Sequence, residues 1–257
     1  MQKKKVVAKV LSQTKLAEGI YDMWISTELA LGAKPGQFIC LYTKDASALL
    51  PRPISICEVN REKQALRIVY RVAGKGTAEF ATYQAGDSVE ILGTLGNGFP
   101  VEKAKGKKVF LMGGGIGIPP MLQLAKEMEA TKQIVVGYRD SQTFLRQDLE
   151  KYGQVYIATE DGSVGTKGNV MNAISENGID ADVIFACGPM PMLRAIKKYS
   201  QEKGIDAYIS LEEHMACGVG ACLGCVVKTK EIDHHSHVHN ARICTDGPVF
   251  EAREVEI

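Results

Sequence analysis

Between residues 212 and 227 the chain reads EEHMACGVGACLGCVV, and no other stretch limits its fold as tightly. From about residue 211 onward the sequence is rich in cysteine and glycine and has too few apolar residues to build a core alone, so this end needs a staple. Cys217, Cys222 and Cys225 form a C-x4-C-x2-C loop, and Cys244 follows after 18 intervening residues. That loop has the ligand spacing of a [2Fe-2S] centre, in which four thiolates complete two tetrahedral irons. Gly218, Gly220 and Gly224 have a purpose in such a loop: without side chains, the backbone can wrap the cluster and aim N–H groups at its sulfurs. Structural zinc is the alternative, but it favours two short C-x2-C knuckles, whereas here the first gap is four residues and the last cysteine stands alone. His234, His235, His237 and His239 lie between the third and fourth cysteines. Histidine-rich tracts can bind metal, but with a four-cysteine set complete this one reads as a solvated loop, and His214 as a packed or hydrogen-bonded residue.

Charge and hydropathy narrow the rest. Among 257 residues, 31 lysines and arginines nearly cancel 30 aspartates and glutamates, so no basic field points to nucleic acid or an anionic membrane. No run approaches 18 apolar residues. The start, MQKKKVVAKVLS, is basic but breaks its apolar run at Lys9 and lacks a cleavage-like site, so it does not read as a signal peptide. A soluble cytoplasmic protein is expected, in which seven cysteines are metal ligands or buried thiols rather than disulfides. Cys40 and Cys57, in apolar strand contexts, read as buried thiols.

Three segments emerge from the periodicity. Residues 1–101 carry short strand-like runs such as KVVAKVL, GQFICLYT, ALRIVYRV and DSVEILG, the pattern of a small antiparallel barrel or sandwich. Over 102–210, the runs KVFLM, QIVVGY, QVYIAT and DVIFAC alternate with helical segments, which predicts a parallel α/β sheet with crossover helices. PPMLQLAKEMEA and PMPMLRAIKKYSQEKG are its clearest helices, the second stopping at Gly204. Residues 211–257 form the cysteine module.

A one-electron cluster needs a donor and an acceptor, which directs attention to LMGGGIGIPPM. Its glycines lie between a strand and a helix N-terminus, where backbone N–H groups and the helix dipole can receive a pyrophosphate. The G-x-G-x-x-G fingerprint is not met, because Ile118 holds the third position, so a tight strand-to-helix turn remains open as the bland reading. A second such turn follows DVIFAC at Cys187, Gly188 and Pro189. In a parallel sheet both turns fall at the carboxyl edge, where ligands bind.

RPISI (52–56), VYR (69–71), GKGT (74–77), GTLGNGF (93–99), GGGIGIPP (113–120) and ACGPMPML (186–193) occur in an order that resembles the ferredoxin-NADP reductase superfamily. With DGSVGTKGNV, CGVGACLGCVVKTK and ICTDGPVF, the chain is similar over nearly its whole length to the electron-transfer subunits of type B, NAD-dependent dihydroorotate dehydrogenases. The resemblance implies an FAD-binding β-barrel, a Rossmann-like NAD-binding α/β domain and a small [2Fe-2S] module. It assigns Arg52 to the FAD pyrophosphate and Ser55 to the neighbourhood of the flavin N5, with Pro53 between them. Ile54 stands where many relatives have an aromatic ring. Val69, Tyr70 and Arg71 are assigned to the isoalloxazine or ribityl chain, and Gly76 and Thr77 to the phosphates. Gly113, Gly114, Gly115 and Gly117 would approach the NAD pyrophosphate, with Cys187 and Gly188 near the nicotinamide, and Cys217, Cys222, Cys225 and Cys244 would ligate the cluster. No side chain need act as acid or base, because hydride passes directly between nicotinamide and flavin.

The implied function lies in pyrimidine biosynthesis: electrons taken from dihydroorotate on an FMN-containing catalytic subunit reach NAD+ through [2Fe-2S] and FAD, in a heterotetramer of two subunits of each kind. Two alternatives stand beside it: a ferredoxin-NAD(P) oxidoreductase subunit of an electron-bifurcating complex, and a non-enzymatic zinc-stapled binding module. In GYRDSQTFLRQ, Arg139 and Arg146 can meet a 2′-phosphate whereas Asp140 repels one, so NAD is favoured over NADP on resemblance alone.

Overall fold

A computed structural model describes residues 4–45, 47–232 and 237–257. The strand-like runs of the first segment close into a barrel. Its strands are β1 (Lys4–Ala17), β2 (Ile20–Ser26), β3 (Phe38–Tyr42), β4 (Arg52–Asn60), β5 (Ala65–Arg71) and β6 (Ser88–Leu95), paired antiparallel in the order β1-β2-β5-β4-β3-β6. Alternation sets the inner face: Met23 and Ile25, Ile39 and Leu41, Ile54 and Ile56, and Leu66 and Ile68 fill the interior. One short helix, α1 (Lys75–Phe80), contributes Phe80 to that interior, edge-on to Tyr70 at 6.3 Å between ring centroids.

The second segment is a sheet of parallel strands, β7 (Lys108–Gly114), β8 (Thr131–Tyr138), β9 (Gln154–Thr159), β10 (Thr166–Lys167), β11 (Val183–Cys187) and β12 (Asp206–Ser210). Helices α2 (Pro119–Glu127), α3 (Arg146–Glu150), α4 (Val170–Asn177) and α5 (Met190–Lys203) connect them. The run expected to be helical to residue 130 stops at Glu127. Lys132 Nζ takes the carbonyls of Ala125 and Met128 at 3.0 and 2.9 Å and so closes the last turn. Gly204 ends α5 as expected, in the left-handed conformation at φ +67°.

The last segment makes a two-stranded ladder, β13 (Val226–Lys228) with β14 (Asn240–Arg242), and then β15 (Val249–Glu251). β15 joins the parallel sheet antiparallel to β12, giving the order β10-β9-β8-β7-β11-β12-β15. The cysteine module borrows its core from both neighbours. Met215, Cys225, Ile243 and Cys244 are buried in one cluster with Phe38, Cys40, Leu92 and Leu95 of the barrel and Ile209 of the sheet.

Several contacts lock the barrel to the sheet domain, an apolar cluster and an ion-pair hub foremost among them. Val69 and Cys57 share a buried cluster with Leu111, Ile118 and Leu122. Arg67 of β5 is paired to Asp22 at 2.9 Å and Glu58 at 3.3 Å within the barrel, and to Asp148 of α3 at 3.1 Å across the joint.

Candidate functional site

Two of the segments that resemble flavin-binding motifs, RPISI and GKGT, meet in space. Arg52, at the start of β4, lays its guanidinium across Gly76 of α1 so closely that a Cβ at 76 would overlap it. The same guanidinium donates to the carbonyl of Ala48 at 3.1 Å and to that of Leu50. Thr77 Oγ accepts from the N–H groups of Ala73 and Gly74 at 2.8 and 3.2 Å and so fixes the entry to α1. Strand alternation sends Pro53 and Ser55 outward and buries Ile54 in the barrel core, where it offers no exposed ring. Of VYR, only Arg71 presents an exposed side chain. Tyr70 turns inward between Tyr21 and Phe80 and donates its hydroxyl to Gln13 Oε1 at 2.9 Å, so its ring belongs to barrel packing. Val69 faces the sheet domain instead.

The glycine turns after β7 and β11 lie side by side at the carboxyl edge of the sheet, as the α/β pattern predicts. Most of these glycines are demanded by protein packing. A Cβ at Gly113 would stand 2.9 Å from the Ile118 backbone, one at Gly114 2.7 Å from Met192 Sδ, and one at Gly188 2.5 Å from Met192 Cε, while one at Gly117 would collide with the Cys187 carbonyl. Gly115 differs. It is exposed, takes φ +53° and faces open space, so it is the position where the turn leaves room for something other than protein. Cys187 is fully buried, and burial pushes its thiol well above the usual range.

The four cysteines of the terminal module lie within reach of one another. The strongest interactions are Cys217 with Cys222 and Cys244 with Cys225, and Cys217 also acts on Cys244. Two irons with two thiolates each require this arrangement, whereas one zinc would need all four around a point. Among the described residues, no three Cys, His, Asp or Glu side chains converge to hold a single ion. The glycine-rich loop aims its N–H groups as anticipated: Val219 N and Ala221 N donate to Cys217 Sγ at 3.4 and 3.3 Å. Burial alone would raise the Cys217 thiol, but these donors, with the backbone and side chain of Cys222, bring it down to about 6. Cys244 goes the other way, pushed up to about 12 chiefly by burial and by Cys225, against the lowering influence of the Gly220 N–H. A hydroxyl also lacks a protein partner here: Thr245 Oγ1 is buried beside Cys244 without a hydrogen bond. A donor set with two thiol pairs, loop N–H groups and an orphaned hydroxyl fits a sulfur-rich cluster. His237 takes φ +56°, and His239 Nδ1 lies 2.9 Å from the Lys230 carbonyl oxygen, while His234 and His235 lie outside the described residues.

Two residues without a motif of their own join these sites. Cys40 lies under the cluster loop, its Sγ 3.4 Å from where a Cβ of Gly218 would stand. Its thiol is pushed up to about 12 by burial and by Cys244, Cys217 and Cys225. Cys40 is also the ladder partner of Pro53, so the flavin-motif strand and the floor of the cluster loop are adjacent. Glu212 stands at the other junction. The residue is open to solvent, yet the protein around its carboxyl pushes it up while Arg71 pulls it down, and its charge bears on Cys187. Neither position carries a spacing signal; only the three-dimensional arrangement reveals them.

Comparison with known proteins is decisive at this point. The electron transfer subunits of dihydroorotate dehydrogenase B (NAD(+)) from Bacillus cereus (strain AH187), Bacillus anthracis (strain CDC 684 / NRRL 3495) and Bacillus thuringiensis subsp. konkukian (strain 97-27) are each 42% identical over 263 residues, covering 99% of this chain and 99% of theirs. The chain belongs to this electron-transfer subunit family. The family model for the iron-sulfur cluster binding domain of dihydroorotate dehydrogenase B matches residues 212–256, the segment that contains Cys217, Cys222, Cys225 and Cys244. Among solved structures, an NADH-dependent reduced ferredoxin-NADP oxidoreductase involved in flavin-based electron bifurcation superposes with a TM-score of 0.86 at 26% identity, over 98% of this chain and 90% of that one. A ferredoxin NADP+ reductase from Neisseria gonorrhoeae, solved with FAD and NADP, gives 0.65 at 18% identity over 78% and 92%. The expected barrel, Rossmann-like sheet and cluster module are thus the family's architecture. The family model names an iron-sulfur cluster and the relatives' name includes NAD(+), while the Neisseria reductase of the same fold was solved with FAD. As an electron-transfer subunit of dihydroorotate dehydrogenase B, the chain works with a catalytic partner subunit. Among the described residues, no helix is long and apolar enough to cross a membrane.

Proposed function

We propose that this chain carries electrons between an FMN-bearing catalytic subunit and NAD+, using three sites held in one line. In this reading Arg52, Pro53, Ile54 and Ser55, with Val69, Tyr70, Arg71, Gly76 and Thr77, build the flavin site. Arg52 neutralises the pyrophosphate, Ser55 faces the ring system, and Ile54 and Tyr70 contribute through the strands they hold in register. Gly113, Gly114, Gly115 and Gly117, with Cys187 and Gly188, build the nicotinamide site, and Gly115 is the glycine that meets the dinucleotide. Cys217 and Cys222 hold one iron, and Cys225 and Cys244 the other. When bound, the cluster supplies one-electron transfer, and FAD exchanges single electrons for a hydride with NAD. The chain's own residues bind, orient and exclude water.

The observation that carries this reading is adjacency. β5 abuts the Gly115–Gly117 turn, with Arg71 and Cys187 both within electrostatic reach of Glu212, while β3, paired to β4, lies beneath the cluster loop. Segments 1–101, 102–210 and 211–257 then serve as flavin, nicotinamide and cluster units. The partner assembly is a heterotetramer with two copies of each subunit, in the cytoplasm, where cysteines stay out of disulfides.

Reconstitution tests the proposal. The purified chain loaded with FAD and cluster should reduce an artificial acceptor with NADH, and NAD-linked dihydroorotate oxidation should appear only when the FMN subunit is added. Dihydroorotate turnover by the chain alone would refute the division of labour. Failure of the partner to restore coupling with all cofactors present would favour a ferredoxin-linked role instead.

A further inference from the structure

Among the described residues, Thr245 Oγ1 is the buried side-chain oxygen left without a hydrogen-bond partner. Its surroundings explain why the protein does not satisfy it. The Thr245 N–H donates to the Arg242 carbonyl at 3.1 Å, and its own carbonyl accepts from Asn97 Nδ2 of the barrel at 3.2 Å, so the backbone is pinned from both sides. The nearby Asp246 carboxylate is held by Arg242, through the backbone N–H at 2.8 Å and the guanidinium at 3.0 and 3.2 Å. The Thr245 hydroxyl approaches that carboxylate without making a hydrogen bond. On its other side stands Gly220, where a Cβ would lie 2.8 Å from Thr245 Cγ2 and 3.3 Å from Oγ1. Gly220 is also the residue whose N–H is directed at Cys244. The hydroxyl is therefore enclosed by the backbone of the cluster loop and the fourth cysteine, and solvent does not reach it.

We propose that the Thr245 hydroxyl donates a hydrogen bond to the cluster on its buried side and thereby makes the cluster easier to reduce. The proposal rests on the [2Fe-2S] reading of the four cysteines and assigns a positioning role to a residue outside the ligand set. A buried hydroxyl without a partner is costly, and the cost disappears if the acceptor is a cluster sulfur. Reduction adds a negative charge, so a donor aimed at a sulfur stabilises the reduced form more than the oxidised form.

Valine matches threonine in shape and removes only the donor. In the full chain with its cofactors, Thr245→Val should assemble the cluster, with unchanged spin count on reduction. Its one-electron reduction equilibrium should become about tenfold less favourable, a midpoint ~59 mV lower. Thr245→Ser, which keeps the hydroxyl, should retain the wild-type midpoint, and FAD occupancy should be unaffected in both. Thr245→Ala carries the same expectation as Val and decides the matter if Val blocks assembly. A midpoint unchanged in the Val or Ala protein would overturn the proposal, as would a Ser protein that behaves like Val, since the methyl would then be the group that matters. Absence of any [2Fe-2S] signal from the wild-type protein would instead overturn the cluster reading beneath it.

Discussion

Arg52 offers the sharpest test of the flavin site, because the structure supplies two independent ways to disturb it. Its guanidinium is half-buried and fixed between the carbonyls of Ala48 and Leu50 and the bare backbone of Gly76. Arg52→Ala removes the charge and one charge-assisted contact to a phosphate, a loss of roughly 1.5–3 kcal/mol, or about ten- to a hundredfold in FAD affinity. Gly76→Ala keeps the charge but puts a methyl where the guanidinium lies, so the arginine must move. It should weaken FAD in the same direction, and the double variant should fall well short of the sum of the two single effects because both act on one contact. Arg52→Lys, which keeps a point charge without the planar fork, should lie between wild type and Ala. FAD titration of flavin-free protein gives the affinities, and the reduced-cluster EPR signal verifies that the cysteine module remains intact. Unchanged FAD affinity in both Arg52→Ala and Gly76→Ala would remove Arg52 from the site. Full additivity in the double variant would show that the contact across Gly76 is irrelevant to binding.

Three further outcomes are expected. Cys244→Ser should abolish or reshape the reduced-cluster EPR signal, whereas Cys57→Ser, buried against the sheet domain, should leave it intact; a normal signal from Cys244→Ser would refute the ligand set. Arg67→Met leaves Asp22, Glu58 and Asp148 around an empty position and should destabilise the protein by about 3–5 kcal/mol in urea unfolding. Asp148→Asn should cost less, because that carboxylate is more exposed and Arg67 keeps Asp22 and Glu58; equal losses would contradict the hub reading. Glu212→Gln removes a carboxylate whose charge reaches Cys187, so it should weaken NAD+, whose nicotinamide ring is cationic, more than NADH, whose ring is neutral, by about 1 kcal/mol or roughly fivefold. Since the Glu212 carboxyl is raised above the ordinary glutamate range, the wild-type preference should fade as pH drops through that raised value, at a higher pH than for a free glutamate, and the Gln protein should show no such step.

The barrel was legible because alternation survives in its strands: ALRIVYRV buries Leu66 and Ile68 on one face and leaves half-buried Arg67 to project toward the carboxylates of the joint. The parallel sheet was legible for a different reason, since its strands are buried on both faces and read as continuous apolar runs. β15 was not legible. VFE is three residues long, and nothing local says that the chain will leave the cysteine module to pair with β12; the pairing is set by where that module docks. Tyr70 was assigned by motif to the flavin, but strand parity turned its ring into the barrel and left Arg71 outside. A motif names a segment, whereas the pleat decides which of its side chains can reach a ligand.

Glycine illustrates the same division at the nicotinamide site, where one spacing conceals two functions. Gly113, Gly114, Gly117 and Gly188 are small because two strand-to-helix turns pack against each other and against Met192, whereas Gly115 alone combines positive φ with open space. A Cβ at any of the first four would disturb the packing whether or not a dinucleotide were bound. The cluster loop shows the complementary case, because its cysteine spacing proposes the ligands but says nothing of their inequality. Cys225 and Cys244 are buried toward the barrel and Cys40, while Cys217 is half-buried and Cys222 exposed. In the proposed ligand set, the Cys225 and Cys244 pair would thus face the barrel strands, and the Cys217 and Cys222 pair would lie toward the surface that carries exposed Val219 and Leu223. Electron transfer with a separate catalytic subunit needs such a polarity. A cluster sunk equally on all sides would be isolated from the partner, and one exposed equally would lose the dry floor that Cys40 of β3 and Leu92 and Leu95 of β6 offer beside the proposed flavin site.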